Sequence, residues 1–338
     1  MGNVPPEVLF HRYFQTPTSP RGYRGKLDIE TQPLNVKAVL ADIQESYNKA
    51  LNDERNDRNH ANHSPFHFDY IDSSCENAHA FRYEDYSFIG ITVGLITRMS
   101  ETCIGLSRSQ RVATKLRVRP APEGCDALHT ALFRIMLNFV VSHEYAHHLH
   151  GDRDQQDSEA AFLDEILGNN DSGDLERQTL ELDADAHSAM FVLNNLIERD
   201  ERWRTIKLLE IEAELEGSQD EVLYSSFVVA VGGYLFVRPP TTLERQGIYK
   251  LTHPPQSMRM NFLMQAADSW CRQRRPALLK WMTSERYDVL MTSAAEVAWR
   301  MNGGMDWAAQ VAFILSEDGA EYRRRLHERL QRRFTGRH

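Results

Sequence analysis

The sequence predicts an α+β protein, mostly helical, with one small sheet. Long segments carry apolar residues at helical spacing. One stretch, Asn77–Ile96, instead reads as strand, turn, strand, with Phe88-Ile89-Gly90-Ile91-Thr92-Val93 as its β-rich core. With 338 residues, 41% of them apolar, the chain has enough material for a full hydrophobic core.

Residues 1–35 are rich in Pro, Arg, Gly and Thr without a period, which predicts an extended, loosely attached arm. Val36, Val39, Leu40, Ile43, Tyr47 and Leu51 then recur at helical spacing and predict an amphipathic helix packed on one face. Asp53–Asp69 is polar and holds His60, His63 and His67. Their spacing is irregular and Pro65 interrupts any helix that would align them, so a surface loop is expected. After the strand pair, Gly94-Leu95-Ile96 leads into a helix. A long helix is predicted from Asp126 to Leu149, with Leu128, Leu132, Ile135, Met136, Phe139 and Val140 as its core face. Arg153–Asp174 is an acidic excursion, and a second helix follows over Leu175–Ile197. Beyond Trp203 the helical pattern resumes, broken sharply at Leu251-Thr252-His253-Pro254-Pro255. This order suggests an arm over 1–35, a main domain over 36–285 and a helical extension over 286–338.

The formal charge of −9 argues against a protein built mainly to hold nucleic acid. Arg323, Arg324, Arg325, Arg329, Arg332, Arg333 and Arg337 form a basic C-terminal run. Leu326, Leu330 and Phe334 recur within it, so it reads as a solvated helix whose leucine face packs on the body. Met1–Leu9 lacks the basic and apolar regions of a leader, and no apolar run reaches membrane-spanning length; Phe227–Val237 and Ala131–Val141 read as core. No integral membrane association is expected. Cys75, Cys103, Cys125 and Cys271 form no disulfide framework, and a cytoplasmic setting is the simplest expectation.

The chemistry concentrates in His143-Glu144-Tyr145-Ala146-His147, an H-E-x-x-H pattern at the end of a strongly apolar helix. Residues four apart share a helix face, so both imidazoles can ligate one Zn2+, with Glu144 beside them as catalytic base. A catalytic zinc also needs a third protein ligand. His150 lies two turns from His143, roughly 10 Å along the axis, too far to share its metal on a straight helix. The metzincin pattern requires Gly and His where this chain has His150 and Arg153. Glu181 is the better ligand. It projects from the same face as Asp185, which can accept the N–H of a ligand histidine and fix its tautomer. Asp183 and His187 project elsewhere.

H-E-x-x-H followed by E-x-x-x-D resembles the gluzincin zinc metallopeptidases of the HtpX and CAAX-prenyl-protease family. Asn77-Ala78-His79-Ala80 with Ile89–Ile96 looks like that family's substrate-side edge strand and the turn into its next helix. Thr252-His253-Pro254-Pro255 with Arg259 is similar to its T-H-P-P…R element. The resemblance spans Asn77 to Arg259. It implies a zincin fold with an edge strand facing the cleft, where Asn77, Ala78, His79 and Ala80 hold an extended peptide. It also implies that His253 stabilises the oxyanion and Arg259 supports the site. The missing membrane spans set the chain apart from that family and make soluble Lit-type phage-exclusion peptidases the nearer analogy. The expected function is a zinc-dependent endopeptidase acting on a protein or peptide substrate. The alternative is a zincin-fold regulatory or binding module without catalysis, against which Glu144 weighs, because a binding module needs no base.

Overall fold

The computed structural model describes residues 4–17, 19, 22–57, 64–116, 127–150, 175–198, 219–237, 247–251, 253–301 and 312–335. These form two compact units. One holds the residues up to Arg98 together with the end of a long helix from Glu144; the other holds Met99–His143 and the described residues from Leu175 onward.

The first unit is built on a three-stranded sheet of order β1-β3-β2, with β1 at Phe66–Ile71, β2 at Ala78–Tyr83 and β3 at Tyr86–Thr92. β2 and β3 form the expected hairpin, closed by Glu84 in the left-handed region at φ 49°. β1 runs parallel to β3, from Phe66 opposite Ser87 to Ile71 opposite Thr92. Its existence corrects the expectation of a polar loop: every residue from Phe66 to Ile71 is buried. Phe66, Phe68 and Tyr70 alternate, a strand signal that Pro65 and the histidines obscure. His67 is inside, with Nε2 3.2 Å from Asp69 Oδ2, and Lys26 Nζ lies 2.8 Å from the same oxygen. His60 and His63 fall outside the described residues.

The expected arm is corrected in part. α1, Pro6–Tyr13, is a helix begun by proline at its first position, where the missing N–H costs nothing. Leu9, Phe10 and Tyr13 are buried with Phe14, Tyr23, Ile71, Phe81 and Phe88. The Tyr13 and Phe81 rings stack with centroids 4.0 Å apart. Aromatic burial outweighs a segment composition that looks irregular. Downstream, Leu27 N–H donates to Tyr70 O and Asp72 N–H to Gly25 O, both at 2.9 Å, so this stretch lies along the outer edge of β1.

α2, Leu34–Asp57, buries Leu40, Ile43, Tyr47 and Leu51 as expected, whereas Val36 and Val39 stay exposed. Asn48 and Asn52, one turn apart, each accept from and donate to the main chain of β1, at Phe68 and Phe66 respectively. Helix side chains thereby satisfy strand backbone groups. At the end of β3, Thr92 turns the chain into α3, Val93–Ser107. A Cβ on Gly94 would stand 2.3 Å from the Ser74 carbonyl oxygen, so only glycine fits there.

The second unit is helical. It contains α4 (Gln110–Leu116), most of α5 (Ala127–Leu149), α6 (Leu175–Leu193), α7 (Gln219–Phe236), α8 (Gln256–Arg274), α9 (Pro276–Trp281), α10 (Ser284–Met301) and α11 (Glu317–Thr335). α6 ends in a π turn over Asn194–Glu198. α7 is apolar all round, and Phe227–Val231 is fully enclosed, the expected state of a helix without a polar face. On α11, Tyr322, Leu326 and Leu330 pack with Leu182, Ile248, Met258 and Phe262. Arg324 and Arg325 bond Glu321, and Arg329 meets Glu176 at 3.0 Å, so these arginines are ion-paired along a solvated face. Among the described residues no helix is long and apolar enough to cross a membrane.

Candidate metal centre

α5 runs unbroken through His143, Glu144 and His147, all three buried. The next turn is anchored on the sheet. His148 Nε2 donates to Phe88 O at 2.9 Å, and the Tyr145 ring meets Phe66 edge-on, centroids 5.0 Å apart. α6 supplies Glu181. His143, His147 and Glu181 each offer one ligand atom, and these atoms lie within 4.8 Å of one another. Two imidazoles and a carboxylate at such separations form a group that can hold a metal ion, and the donor set suits zinc. His150 is not in the group; its N–H continues the helix ladder to Ala146 O.

His143 Nε2 lies 3.1 Å from Glu181 Oε2, and its Nδ1 lies 3.0 Å from Asp185 Oδ1. Asp185 is fully buried and receives two parallel bonds from Arg259, Nε to Oδ2 and Nη2 to Oδ1, each 2.7 Å. Burial opposes the charge on Asp185, but the Arg259 guanidinium and the bond from His143 hold its carboxyl down at about 2. Burial likewise opposes an imidazolium at His143. Hydrogen bonding and charge from Asp185 and Glu181 outweigh it and lift this histidine to about 10. The two carboxylates therefore create a buried position that favours positive charge, a proton here and a cation in competition with it.

The segment broken by Pro254-Pro255 returns to α6. His253, part-exposed, brings Nε2 to 3.2 Å from Glu181 Oε2. Pro255, extended at φ −52° and ψ 142°, starts α8, and its carbonyl accepts the Met258 and Arg259 N–H groups. Arg259 thus stands on the first turn of α8, facing Asp185.

The four residues at the start of β2 sit differently. Asn77 is committed to the hairpin: its N–H bonds Thr92 Oγ1 at 3.0 Å and its Nδ2 bonds Tyr23 OH at 3.2 Å. Ala78 is half-buried, Ala80 is fully buried, and the buried His79 ring lies roughly parallel to Phe81 at 5.3 Å and to Tyr13 at 6.4 Å. Side chains here belong to the core, and β2 stands at the edge of its sheet. Asp183 is buried as well, and the half-buried His187 stacks on Phe191. Two residues near the site were missed, Gln178 and Tyr322. Gln178 is detectable in principle, because it precedes Glu181 and Asp185 on the same helix face. Tyr322 carries no local signal.

Comparison of the chain with protein-family models, curated proteins and solved structures returns no match.

Proposed function

We propose that the chain is a zinc-dependent endopeptidase of gluzincin type. The observation that supports this most is the buried His143–His147–Glu181 group, with Glu144 directly after its first histidine. A zinc ion held there supplies Lewis-acid polarisation of the scissile carbonyl and acidifies the attacking water. The remaining steps belong to the chain. Glu144 takes the water's proton and delivers it to the leaving amine. Asp185, held by Arg259, accepts from His143 Nδ1 and so leaves Nε2 to face the metal position. His253 donates to the oxyanion as charge develops on it. The substrate adds as an extended strand to the outer edge of β2, recognised through main-chain bonds because His79, Ala80 and Phe81 are buried.

The test is Glu144→Gln. Zinc content stays near that of the parent, and peptide turnover falls by about 10²–10⁴, the usual cost of losing a general base. Zinc retained with undiminished turnover refutes the mechanism. Stoichiometric zinc with no turnover even in the parent chain identifies a binding module instead.

A further inference from the structure

Three side chains on one face of α6, Gln178, Glu181 and Asp185, meet successive points of a single segment, Ile248–Arg259. Glu181 meets His253 and Asp185 meets Arg259. Gln178 comes first: its Nε2 donates to Ile248 O at 2.9 Å and to Leu251 O at 2.6 Å. Its Oε1 accepts the hydroxyl of Tyr322 on α11. Both side chains are fully buried. A primary amide has two donor hydrogens and one acceptor oxygen, so three directional bonds fix which way it faces. Tyr322 is itself immobilised, with the Tyr249 ring edge-on at 5.6 Å and Phe313 at 6.3 Å.

The segment leaves His253 little freedom. Leu251 is pinned through its carbonyl two residues upstream, and Pro254-Pro255 restrict φ immediately downstream. We propose that Gln178 and Tyr322 are positioning residues for His253. The C-terminal helix, through Tyr322, orients the Gln178 amide, and that amide sets the loop from which His253 reaches Glu181. The inference rests on His143, His147 and Glu181 being the metal site of a peptidase. It adds that α11 works for that site.

The experiment uses the full-length, zinc-loaded chain and its Tyr322→Phe, Gln178→Glu and His253→Ala variants. Tyr322→Phe keeps the ring and deletes one hydroxyl; Gln178→Glu sets a carboxylate against two carbonyls and serves if the first variant does not fold. Both are expected to bind zinc at the parental stoichiometry. Each lowers kcat by about 10-fold with KM little changed, a fraction of the ~10²–10³ that loss of an oxyanion donor costs. In a His253→Ala background neither substitution lowers kcat further, because its effect passes through that imidazole. Side-chain ¹⁵N-histidine NMR provides a readout independent of turnover. The resonances lost in His253→Ala shift and broaden in both positioning variants, while those of His143 and His147 do not. Unchanged His253 resonances overturn the inference, and so does a kcat loss of equal size without His253. Resonances displaced in both variants of a chain whose parent cleaves nothing overturn the peptidase reading, and leave only the structural placement of His253 by Gln178 and Tyr322.

Discussion

Asp185 shows how one side chain can serve both the fold and the chemistry. It is fully enclosed, bonded twice by Arg259 and placed 3.0 Å from His143 Nδ1. Removing one partner of such a pair leaves the other charge buried, which costs more than the pair contributes. Arg259→Leu should therefore lower unfolding free energy by roughly 3–5 kcal/mol in urea titrations. Asp185→Asn retains the volume but removes the charge that draws His143 Nδ1–H. Zinc affinity should then weaken by about 10–100-fold, read by competition with a chromophoric chelator. Wild-type affinity in that variant would remove Asp185 from the metal site. Residues at this scale were largely readable from sequence where one helix carries them. His143 and His147, or Glu181 and Asp185, share a face by period alone. Bringing His253 and Arg259 to α6 takes tertiary structure, and only the family resemblance pointed to them.

Among elements, the ones read correctly have a local period. α2, α5, α6 and the β2–β3 hairpin announce themselves through apolar spacing. α1 is too short to establish such a period, and the alternation in β1 is short and masked by Pro65 and the histidines; both are stabilised by what covers them. The burial of Phe10 depends on Phe14, Phe81 and Phe88, two of which lie some seventy residues on. Its ring centroid is 5.7 Å from both Phe81 and Phe88. Phe10→Ala should cost about 3–5 kcal/mol by cavity formation. The accompanying observable is faster amide exchange in β1–β3. A loss below 1 kcal/mol would restore the loosely attached arm. The basic helix α11 illustrates the reverse case. Its arginine run catches the eye, yet its buried Tyr322, Leu326 and Leu330 connect it to the rest of its unit.

For the whole molecule, the proposed metal binding is linked to protonation through His143. In the metal-free protein its folded pKa of about 10 stands above the ordinary 6.5. Its stabilising contribution is complete below pH 6.5 and disappears as pH rises through about 10. Asp185 works in the opposite direction, contributing above the ordinary 3.8 and failing only as pH falls through about 2. The metal-free thermal midpoint should thus decline from pH 6.5 towards 10, while saturating zinc raises it throughout by mass action. Zinc must displace the His143 proton in that window, so its affinity should rise with pH, and calorimetry in buffers of different ionisation enthalpy should detect the released proton. A flat affinity across the window would mean that His143 is not a ligand. The bond from Tyr322 to Gln178 has a further consequence in time, since it joins residues 144 positions apart. Contacts of such long sequence separation pay their loop-closure entropy before they return any stability, and they form late in folding. During synthesis His143, His147 and Glu181 all leave the ribosome well before Tyr322. A nascent chain therefore presents the three residues of the candidate metal group first and gains the Tyr322–Gln178 bond only afterwards.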